Sequence, residues 1–331
     1  MSKAPVTVVT GGAGFVGSHM VDLLLERGHS VRIIDNLTGG RESNLAHVKD
    51  NPGLDLDTRD IRDLLTDDNL FSDAKYVFHF AGIGDIVPSI ENPADYMSTN
   101  IMGTVSVLEA ARHAGCEKLV YAASSSCYGL ADVPTTEDHR VRPEYPYALS
   151  KNLGEEAVFH WHRVYGLPVN SIRIFNAYGP RVRTTGVYGA VFGVFLKQKL
   201  AGEPFTVVGD GTQRRDFLYV TDVVKAFLLA AETDRAGEIY NLGAGAPQPV
   251  NRLVELLGGE TVSVPKRPGE PDCTWADISK IRDHLGWEPA ISFEDGIANM
   301  LENIDDWRDA PLWNPESIEK ATAAWFDHLQ K

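Results

Sequence analysis

The sequence predicts an α/β fold in which a doubly wound parallel sheet is followed by a smaller α/β part. Short β-branched strands alternate with amphipathic helical stretches over the first half of the 331-residue chain, and the first strand leads through a glycine-rich turn into a helix. After about residue 176, proline and glycine become frequent, as in "GAGAPQP" and "VPKRPGEPD". We therefore expect one domain over residues 1–175 and a second over residues 176–331, with segments that cross between them.

The first strand and the first helix enclose three closely spaced glycines. A strand is predicted at residues 6–9 and a helix at residues 18–26, and between them Gly11, Gly14 and Gly17 stand in "TGGAGFVG". Glycine lets a phosphate approach the backbone, and a helix N-terminus offers free N–H groups. The turn therefore indicates a Rossmann-type dinucleotide site, although a tight strand–helix turn without a ligand would also use glycines.

An acidic residue ends the second predicted strand, at residues 31–34. Asp35 follows that strand and lies 18 residues after Gly17. A carboxylate there accepts hydrogen bonds from the adenine ribose and repels a 2′-phosphate, so NAD is favoured over NADP. Arg41 nearby is the feature that would favour NADP, and an ordinary turn residue is the alternative interpretation of Asp35.

Three more strands and a long helix continue the alternation. Strands are predicted at residues 76–80, 118–122 and 169–175, and an amphipathic helix is predicted at residues 96–113. The segment "AASSSCYG", at residues 122–129, follows one of these strands. Ligands of doubly wound sheets bind at the carboxyl ends of strands, so a hydroxyl there can meet a substrate oxygen.

Tyr147 and Lys151 are four residues apart in "YPYALSK". Pro146 suits a helix start, so the two side chains would share one helix face. A neighbouring lysine favours the phenolate and lowers the pKa of the phenol from about 10. Tyr147 could then act as a general base near neutral pH, the alternative being a solvated helix face that happens to carry both residues.

Composition excludes several classes of function. The formal net charge of −15 argues against nucleic acid or an anionic membrane as a main partner. The three cysteines have no metal-like spacing, no run of 18 apolar residues occurs, and no metal site is expected. Because the first residues lead directly into a strand, there is no room for a signal peptide, and we expect a cytoplasmic protein.

An ordered set of motifs resembles a known family. The segments "TGGAGFVG", "DIRD", "HFAG", "SSSCYG", "YALSK", "RIFNAYGPR", "RRDFLYVTD" and "RPGEPDCTWAD" occur, with Asp35, in the order found in extended short-chain dehydrogenases/reductases. More narrowly, the chain is similar to the nucleotide-sugar epimerase/dehydratase branch, whose best-known type is UDP-galactose 4-epimerase. The resemblance runs from about residue 5 to residue 300.

The resemblance implies a catalytic trio and two sets of binding residues. Ser124 would be the catalytic hydroxyl residue, Tyr147 the base and Lys151 its partner. Besides Tyr147 and Lys151, the NAD-binding residues would be Gly11, Gly14, Phe15, Val16, Gly17, Asp35, Asn36, Asp60, Ile61, Phe80, Ala81, Gly82 and Asn100. The residues that bind a nucleotide-diphosphate sugar would be Asp85, Ser124, Ser125, Ser126, Asn176, Arg183, Arg215, Arg267 and Thr274. The family further implies a homodimer.

Two positions depart from the family pattern. Asp85 stands where relatives often carry a small polar residue, and it would bond a sugar hydroxyl or cap a turn. Arg183 would face a carboxylated or phosphorylated ligand, or solvent.

The residue before the aromatic of "DCTWAD" borders the sugar in related epimerases, so the small Thr274 implies room for a C2 N-acetyl group.

The residues after the catalytic serine favour epimerisation. Related 4,6-dehydratases carry Asp-Glu at the positions of Ser125 and Ser126, and decarboxylases usually carry glutamate at the second, whereas serine is a poor acid or base at neutral pH. We therefore expect an NAD-dependent nucleotide-sugar 4-epimerase acting through a 4-keto sugar. A 4,6-dehydratase, a decarboxylase, a 4-dehydrogenase and a non-catalytic NAD-binding regulatory protein are the alternatives.

Overall fold

The computed structural model describes residues 4–183 and 191–329. Its strands are β1 (Val6–Thr10), β2 (Ser30–Ile34), β3 (Leu54–Asp57), β4 (Ala74–His79), β5 (Lys118–Ser124), β6 (Val169–Ile174), β7 (Asn176–Tyr178), β8 (Phe205–Val208), β9 (Arg214–Arg215), β10 (Phe217–Tyr219), β11 (Glu238–Leu242), β12 (Gln248–Pro249) and β13 (Thr261–Val264). Its α-helices are α1 (Phe15–Glu26), α2 (Ile86–Glu91), α3 (Pro93–Met97), α4 (Gly103–Ala114), α5 (Pro146–Tyr165), α6 (Val191–Ala201), α7 (Val220–Glu232), α8 (Val250–Leu257), α9 (Ser279–Leu285), α10 (Phe293–Glu302) and α11 (Pro315–Leu329).

Seven parallel strands form the main sheet, in the order β11-β6-β5-β4-β1-β2-β3. The strand order reverses between β1 and β4, and a crevice at the carboxyl ends of these two strands is where doubly wound sheets bind ligands. The predicted doubly wound parallel sheet is confirmed. The five strands predicted from the sequence agree with β1, β2, β4, β5 and β6 to within two residues at each end.

Alternate residues of the central strand enter two apolar layers, one on each face of the sheet. Val9 is buried with Met20 of α1, whereas Val8 is buried with Leu108 of α4 and Val158 of α5. This alternation follows from the two-residue period of a strand covered on both faces. It fixes α1 on one face of the sheet and α4 and α5 on the other.

The helix predicted at residues 96–113 differs from the structure in one turn. Helix α3 ends at Met97, a π-helical turn spans Ser98–Met102, and α4 begins at Gly103. A Cβ on Gly103 would lie 2.5 Å from Cδ1 of Ile61, so the helix packs closely on the loop after β3 and a larger residue would require the Ile61 side chain to shift. Such π turns often occur at functional sites, and this one carries Asn100.

The smaller part contains three strand pairs and its own aromatic core. Strand β7 pairs with β10, β8 with β13 and β9 with β12. Tyr178, Phe192, Phe217 and Phe293 stack there, with the rings of Tyr178 and Phe192 4.7 Å apart. Strand β11 and helix α7, both after residue 176, nevertheless belong to the main sheet layer. The domain boundary between residues 175 and 176 therefore stays a prediction. That prediction allowed for segments of one domain packing in the other.

Candidate active site

The glycine turn after β1 leaves no space for side chains. Gly11 has a φ of +71°, and a Cβ there would lie 2.7 Å from the amide nitrogen of Ala81. A Cβ on Gly17 would lie 2.1 Å from the carbonyl oxygen of Gly11. Gly14 caps α1 without a side chain, so the first N–H groups of the helix, beginning at Phe15 and Val16, stay available to an anion. The turn therefore fits a dinucleotide pyrophosphate.

Asp35 binds this turn as well as ending β2. Its Oδ2 accepts a 2.9 Å hydrogen bond from the amide of Ala13, and its Oδ1 accepts one of 2.9 Å from the amide of Leu37. Burial raises the pKa of Asp35, and these hydrogen bonds oppose that shift. The carboxylate thus holds the glycine turn against β2, a role that the sequence analysis did not include.

Asn36 and Asp60 lie together beside the same crevice. Nδ2 of Asn36 donates a 2.7 Å hydrogen bond to Asp60, and Nη2 of Arg62 donates another of 2.8 Å to the same oxygen. The guanidinium of Arg62 lowers the pKa of Asp60 to about 2, so the carboxylate is ionised at neutral pH. Ile61 is buried beneath Gly103. Arg62 was missed by the sequence analysis, although it stands inside the quoted motif "DIRD".

Asn100 holds the loop that follows β4. Its Oδ1 accepts a 2.8 Å hydrogen bond from the amide of Ile83, and its Nδ2 donates to the carbonyl of Ile83 at 3.0 Å and to Oγ of Ser150 at 2.8 Å. A Cβ on Gly82 would lie 2.8 Å from Oδ1 of Asn100 and 3.9 Å from Nζ of Lys151. Asn100, Gly82 and Lys151 therefore meet at one place, as the resemblance implied.

A buried hydrogen-bond chain lies behind this loop. Nδ1 of His79 is 2.7 Å from Oγ1 of Thr10, and Nε2 is 2.9 Å from Oγ1 of Thr104. Because the hydroxyl of Thr104 donates to the carbonyl of Asn100 at 2.7 Å, Nε2 of His79 must carry the proton. Burial lowers the pKa of His79 to about 3, so the ring is neutral. His79 stands in "HFAG", yet the sequence analysis assigned it no role.

Phe80 and Ala81 border the crevice from β4. The ring of Phe80 lies 4.7 Å from the ring of Phe227 in α7, and the amide of Ala81 donates to Oγ1 of Thr10 at 3.3 Å. These contacts fix the chain where Gly11 approaches it most closely. The apolar ring and the small residue next to it form a wall on which a flat cofactor ring can lie.

The catalytic trio converges at the carboxyl end of β5. Ser124 ends β5, and α5 begins at Pro146, as predicted, so that Tyr147 and Lys151 lie on one face of the helix. Burial raises the pKa of Tyr147, and a hydrogen bond from Ser124 opposes the rise. The raised pKa differs from the sequence-based expectation, because loss of hydration is the largest influence and the negative charge of Asp85 acts in the same direction.

Lys151 is itself desolvated. Its Nζ lies 4.3 Å from the centroid of the Tyr121 ring, and burial lowers its pKa to about 7, with Glu155 opposing the shift. Glu155 is in turn bound by Arg173, whose Nη2 lies 2.6 Å from Oε2. A lysine with this pKa can change its charge near neutral pH, which suits a partner in proton transfer.

The two serines after Ser124 complete the turn. The amide of Ser126 donates to Oγ of Ser124 at 3.2 Å, and its side chain hydrogen-bonds Tyr145. Ser125 is half-buried beside them. Neither brings a carboxylate to the turn.

A cavity of about 390 Å³ lies between the sheet and the smaller part. It is lined by residues that include Asp85, Asn176, Arg215, Arg267, Glu270 and Trp325. A neighbouring cavity of about 510 Å³ shares Val208, Gln213, Arg215 and Glu270 with it. Together they form a continuous cleft large enough for an elongated ligand.

Glu270 joins the two predicted arginines. Arg215 lies 2.7 Å from one of its oxygens, and Arg267 lies 2.9 Å from the other. The guanidinium of Arg267 also lies 5.4 Å from the ring of Trp325 in α11. A guanidinium can bind a phosphate through two parallel hydrogen bonds, so two arginines at one place suit a diphosphate. Glu270 and Trp325 were missed, although the spacing of Glu270 from Arg267 in "RPGEP" was a usable signal.

Four other predicted substrate residues form two pairs. Thr274 donates a 2.7 Å hydrogen bond to Asn176, and Thr274 is not among the residues that line either cavity. Nη1 of Arg183 lies 3.3 Å from Oδ2 of Asp85. The two departures from the family pattern are therefore one ion pair.

The chain is similar to known enzymes that act on nucleotide sugars. The model of the NAD dependent epimerase/dehydratase family matches residues 7–243. A UDP-glucose 4-epimerase of Mycolicibacterium smegmatis is 36% identical over 89% of this chain and 97% of its own.

Solved structures superpose closely on the chain. A UDP-glucuronic acid 4-epimerase from Bacillus cereus, in complex with UDP-glucuronic acid and NAD, is 31% identical with a TM-score of 0.85, covering 91% of this chain and 99% of its own. A UDP-N-acetylglucosamine 4-epimerase from Methanobrevibacter ruminantium, in complex with UDP-N-acetylmuramic acid, is 31% identical with a TM-score of 0.85, covering 91% of this chain and 100% of its own. The chain therefore belongs to the NAD-dependent epimerase/dehydratase family.

Proposed function

We propose that this protein is an NAD-dependent nucleotide-sugar 4-epimerase acting on a UDP-sugar of the glucose, N-acetylglucosamine or glucuronate class. One observation carries the proposal: Ser124, Tyr147 and Lys151 converge at the carboxyl end of β5, and the residues after Ser124 bring no carboxylate to it. A regulatory NAD-binding protein would have no use for all three. The similarity to 4-epimerases along nearly the whole chain supports the same reaction.

The residues of the crevice suit NAD. The glycine turn and the first turn of α1 would hold the pyrophosphate, Asp35 with Asn36 and Asp60 the adenosine, and Phe80 to Gly82 the nicotinamide side. When bound, NAD supplies the acceptor and donor of the C4 hydride. An acidic residue at the end of the second strand would repel a 2′-phosphate, so Asp35 supports NAD over NADP.

The chain's own residues move the proton at C4. Tyr147 takes the proton of the C4 hydroxyl and later returns one to the C4 oxygen, while the hydroxyl of Ser124 holds that oxygen. Lys151, with a pKa near 7, offsets the negative charge of the phenolate. General acid–base catalysis of this kind typically contributes roughly 10²–10⁴-fold.

The cleft binds the substrate through its diphosphate. Arg215 and Arg267 would take the phosphates, and the nucleoside would extend into the neighbouring cavity at Val208 and Gln213. The sugar would lie toward Tyr147 and Asp85. Room for a C2 N-acetyl group beside Thr274 remains part of this proposal, supported by the small size of threonine.

Competing reactions need groups that this turn does not bring. A 4,6-dehydratase must also move protons at C5 and C6, and Ser125 and Ser126 are poor acids and bases at neutral pH. A decarboxylase is also disfavoured, because relatives with that activity usually carry glutamate at the position of Ser126. A 4-dehydrogenase remains the second enzyme candidate, and it would release NADH stoichiometrically.

We also propose a homodimer formed through α4 and α5. Leu149, Leu153 and Val164 are exposed along α5, and Met102 is exposed at the start of α4. An apolar stripe on two adjacent helices is suited to a second copy of itself. Within residues 4–183 and 191–329, no helix is long and apolar enough to cross a membrane. A cytoplasmic location is proposed because NAD and nucleotide sugars are expected there.

NMR of the purified protein with UDP-, GDP-, CDP- and dTDP-sugars, without added cofactor, tests the reaction. Epimerisation at C4 without net NADH is expected. A 4-keto-6-deoxy product, loss of CO₂ or stoichiometric NADH would assign the reaction elsewhere. Mass analysis of the cofactor released by denaturation should give NAD, and recovery of mainly NADP would contradict the role of Asp35.

A further inference from the structure

We propose that the ion pair between Asp85 and Arg183 makes this enzyme select sugars without a C6 carboxylate. This inference rests on the proposed 4-epimerase function and narrows its substrate class. It rests on how the two charges are arranged at the sugar end of the cleft, and it assigns Asp85 as the residue that determines specificity.

Asp85 lies next to the catalytic tyrosine. It lines the cavity at the N-terminus of α2, and its backbone carbonyl accepts a 2.6 Å hydrogen bond from the hydroxyl of Tyr96. The ring of Tyr96 packs edge-on against the ring of Tyr147, with their centroids 6.4 Å apart. Helix α2 also contacts α5. Tyr96 thus holds Asp85 close to Tyr147, whose hydroxyl is proposed to exchange the proton with the C4 oxygen of the sugar.

The charge of Arg183 is already neutralised. Its Nη1 faces Oδ2 of Asp85 at 3.3 Å, and within residues 4–183 and 191–329 it is the only side chain bonded to that carboxylate. Asp85 makes no side-chain cap to α2, so its second oxygen remains an acceptor for a hydroxyl or an N–H group. The half-buried carboxylate therefore serves two functions: it engages Arg183 and offers one acceptor to the cavity.

A sugar with a C6 carboxylate would bind less favourably beside Asp85 than a neutral sugar. C6 is separated from C4 by C5 alone, so a C6 carboxylate on a sugar whose C4 hydroxyl meets Tyr147 lies within the field of Asp85. Two carboxylates at short range in a partly desolvated cleft repel, and binding the arginine would require breaking its pair with Asp85. A neutral C6 hydroxymethyl group instead donates to the free oxygen of Asp85.

Charge along the cleft agrees with such a substrate. The diphosphate end of the cleft presents the guanidinium groups of Arg215 and Arg267, whereas the guanidinium at the sugar end, that of Arg183, is paired with Asp85. The cleft is therefore electrostatically suited to a ligand whose negative charge is confined to its diphosphate.

The test compares UDP-glucose with UDP-glucuronate as substrates of the NAD-loaded enzyme and of Asp85→Asn. Asparagine keeps the size of the side chain and removes its charge, so it frees Arg183. The wild type should prefer UDP-glucose, and Asp85→Asn should raise the ratio of kcat/KM for UDP-glucuronate to that for UDP-glucose on the order of tenfold or more. The double variant Asp85→Asn/Arg183→Gln should lose that gain, because no free guanidinium remains.

Binding of the two UDP-sugars, measured by calorimetry alongside turnover, separates recognition from catalysis, and retained NAD with unchanged Tm shows that the variants fold. A wild-type preference for UDP-glucuronate, or an equal change for both sugars in Asp85→Asn, would overturn the inference and leave the 4-epimerase proposal standing. If the wild type epimerises neither sugar while binding UDP-glucose more tightly than UDP-glucuronate, the reaction proposal fails and the selectivity stands.

Discussion

The hydroxyl of Thr274 donates a 2.7 Å hydrogen bond to the side-chain oxygen of Asn176. The direction of this bond follows from its acceptor, because the amide oxygen of Asn176 carries no proton, and Oγ1 of Thr274 also accepts from the amide of Asp216 at 3.4 Å. Asn176 lines the substrate cavity, so its amide nitrogen is turned away from Thr274 and is free to donate to a ligand. If Asn176 binds the diphosphate sugar as proposed, Thr274 is a positioning residue for its donor.

Replacing Thr274 by valine should weaken substrate binding. Valine keeps the β-branched shape but leaves the oxygen of Asn176 without its donor, so the amide can rotate and present the wrong group. Loss of one such hydrogen bond costs about 0.5–1.5 kcal/mol, which corresponds to roughly a threefold to tenfold rise in KM with little change in kcat. Thr274→Ser retains the hydroxyl and is the matched control. Equal kinetics for the valine and serine variants would show that the bond does not orient Asn176.

Replacing Tyr147 by phenylalanine should nearly abolish turnover and leave the cofactor bound. The ring can still pack against Tyr96, but the acid–base group at C4 is lost, which typically costs ~10²–10⁴-fold in rate. Rate and bound NAD per chain are measured on the same preparation. Tyr145→Phe is the control, because Tyr145 stacks on Tyr147 but is not one of the three proposed catalytic residues. The loss of rate in this variant should be much smaller. Similar rates for the two variants would remove Tyr147 from the mechanism.

Local patterns were sufficient to predict the sheet and the shared helix face of Tyr147 and Lys151, whereas Ser124 came from the family resemblance. Gly11 and Gly17 in the motif indicate that two backbone segments pack closely together. The structure agrees, because a Cβ atom at either position would collide with neighbouring backbone atoms. Tyr147 and Lys151 follow from the helical period alone. The doubly wound fold, the NAD-dependent family and the class of reaction, all expected from these motifs and the resemblance they carry, are confirmed.

Relationships between distant residues could not be predicted in this way. Asp85 and Arg183 are 98 residues apart, and only the packing of the smaller part onto the sheet brings them together. The π turn at Asn100 lies next to the close contact between Gly103 and Ile61, and helical periodicity in the sequence predicts neither feature. The raised pKa of Tyr147 depends on burial, which spacing does not reveal.

Replacing Gly17 by alanine should remove the cofactor. The added methyl group would lie 2.1 Å from the carbonyl oxygen of Gly11, so the turn must open. Its N–H groups would then no longer point toward the pyrophosphate. Bound NAD after purification should fall from near stoichiometric to a small fraction, measured by absorbance after denaturation. Gly39→Ala is the control, because nothing lies within 4 Å of its Cβ position. Full NAD content in Gly17→Ala would contradict the assignment of this turn.

The neutral, buried His79 should make stability depend on pH. Its folded pKa is about 3 against an ordinary 6.5, so below pH 6.5 the unfolded chain binds a proton that the folded chain does not. The free energy of unfolding is therefore complete above pH 6.5 and falls by about 1.4 kcal/mol per pH unit as the pH drops toward 3. His19, whose pKa burial lowers to about 4, acts with the same sign.

Urea unfolding of the wild type and of His79→Gln between pH 6.5 and pH 5 measures this dependence. That window lies below the unfolded pKa of histidine and above the range in which most carboxylates titrate. Glutamine cannot take up the proton, so the variant should be less stable at pH 7 but should lose roughly half of the slope contributed by the two histidines, with His19 supplying the remainder. His19→Gln should lose a comparable share, because its folded pKa also lies below the window. A slope in His79→Gln as steep as that of the wild type would mean that His79 is already charged in the folded protein. The chain from Thr10 through His79 to Thr104 would then have to run in another direction.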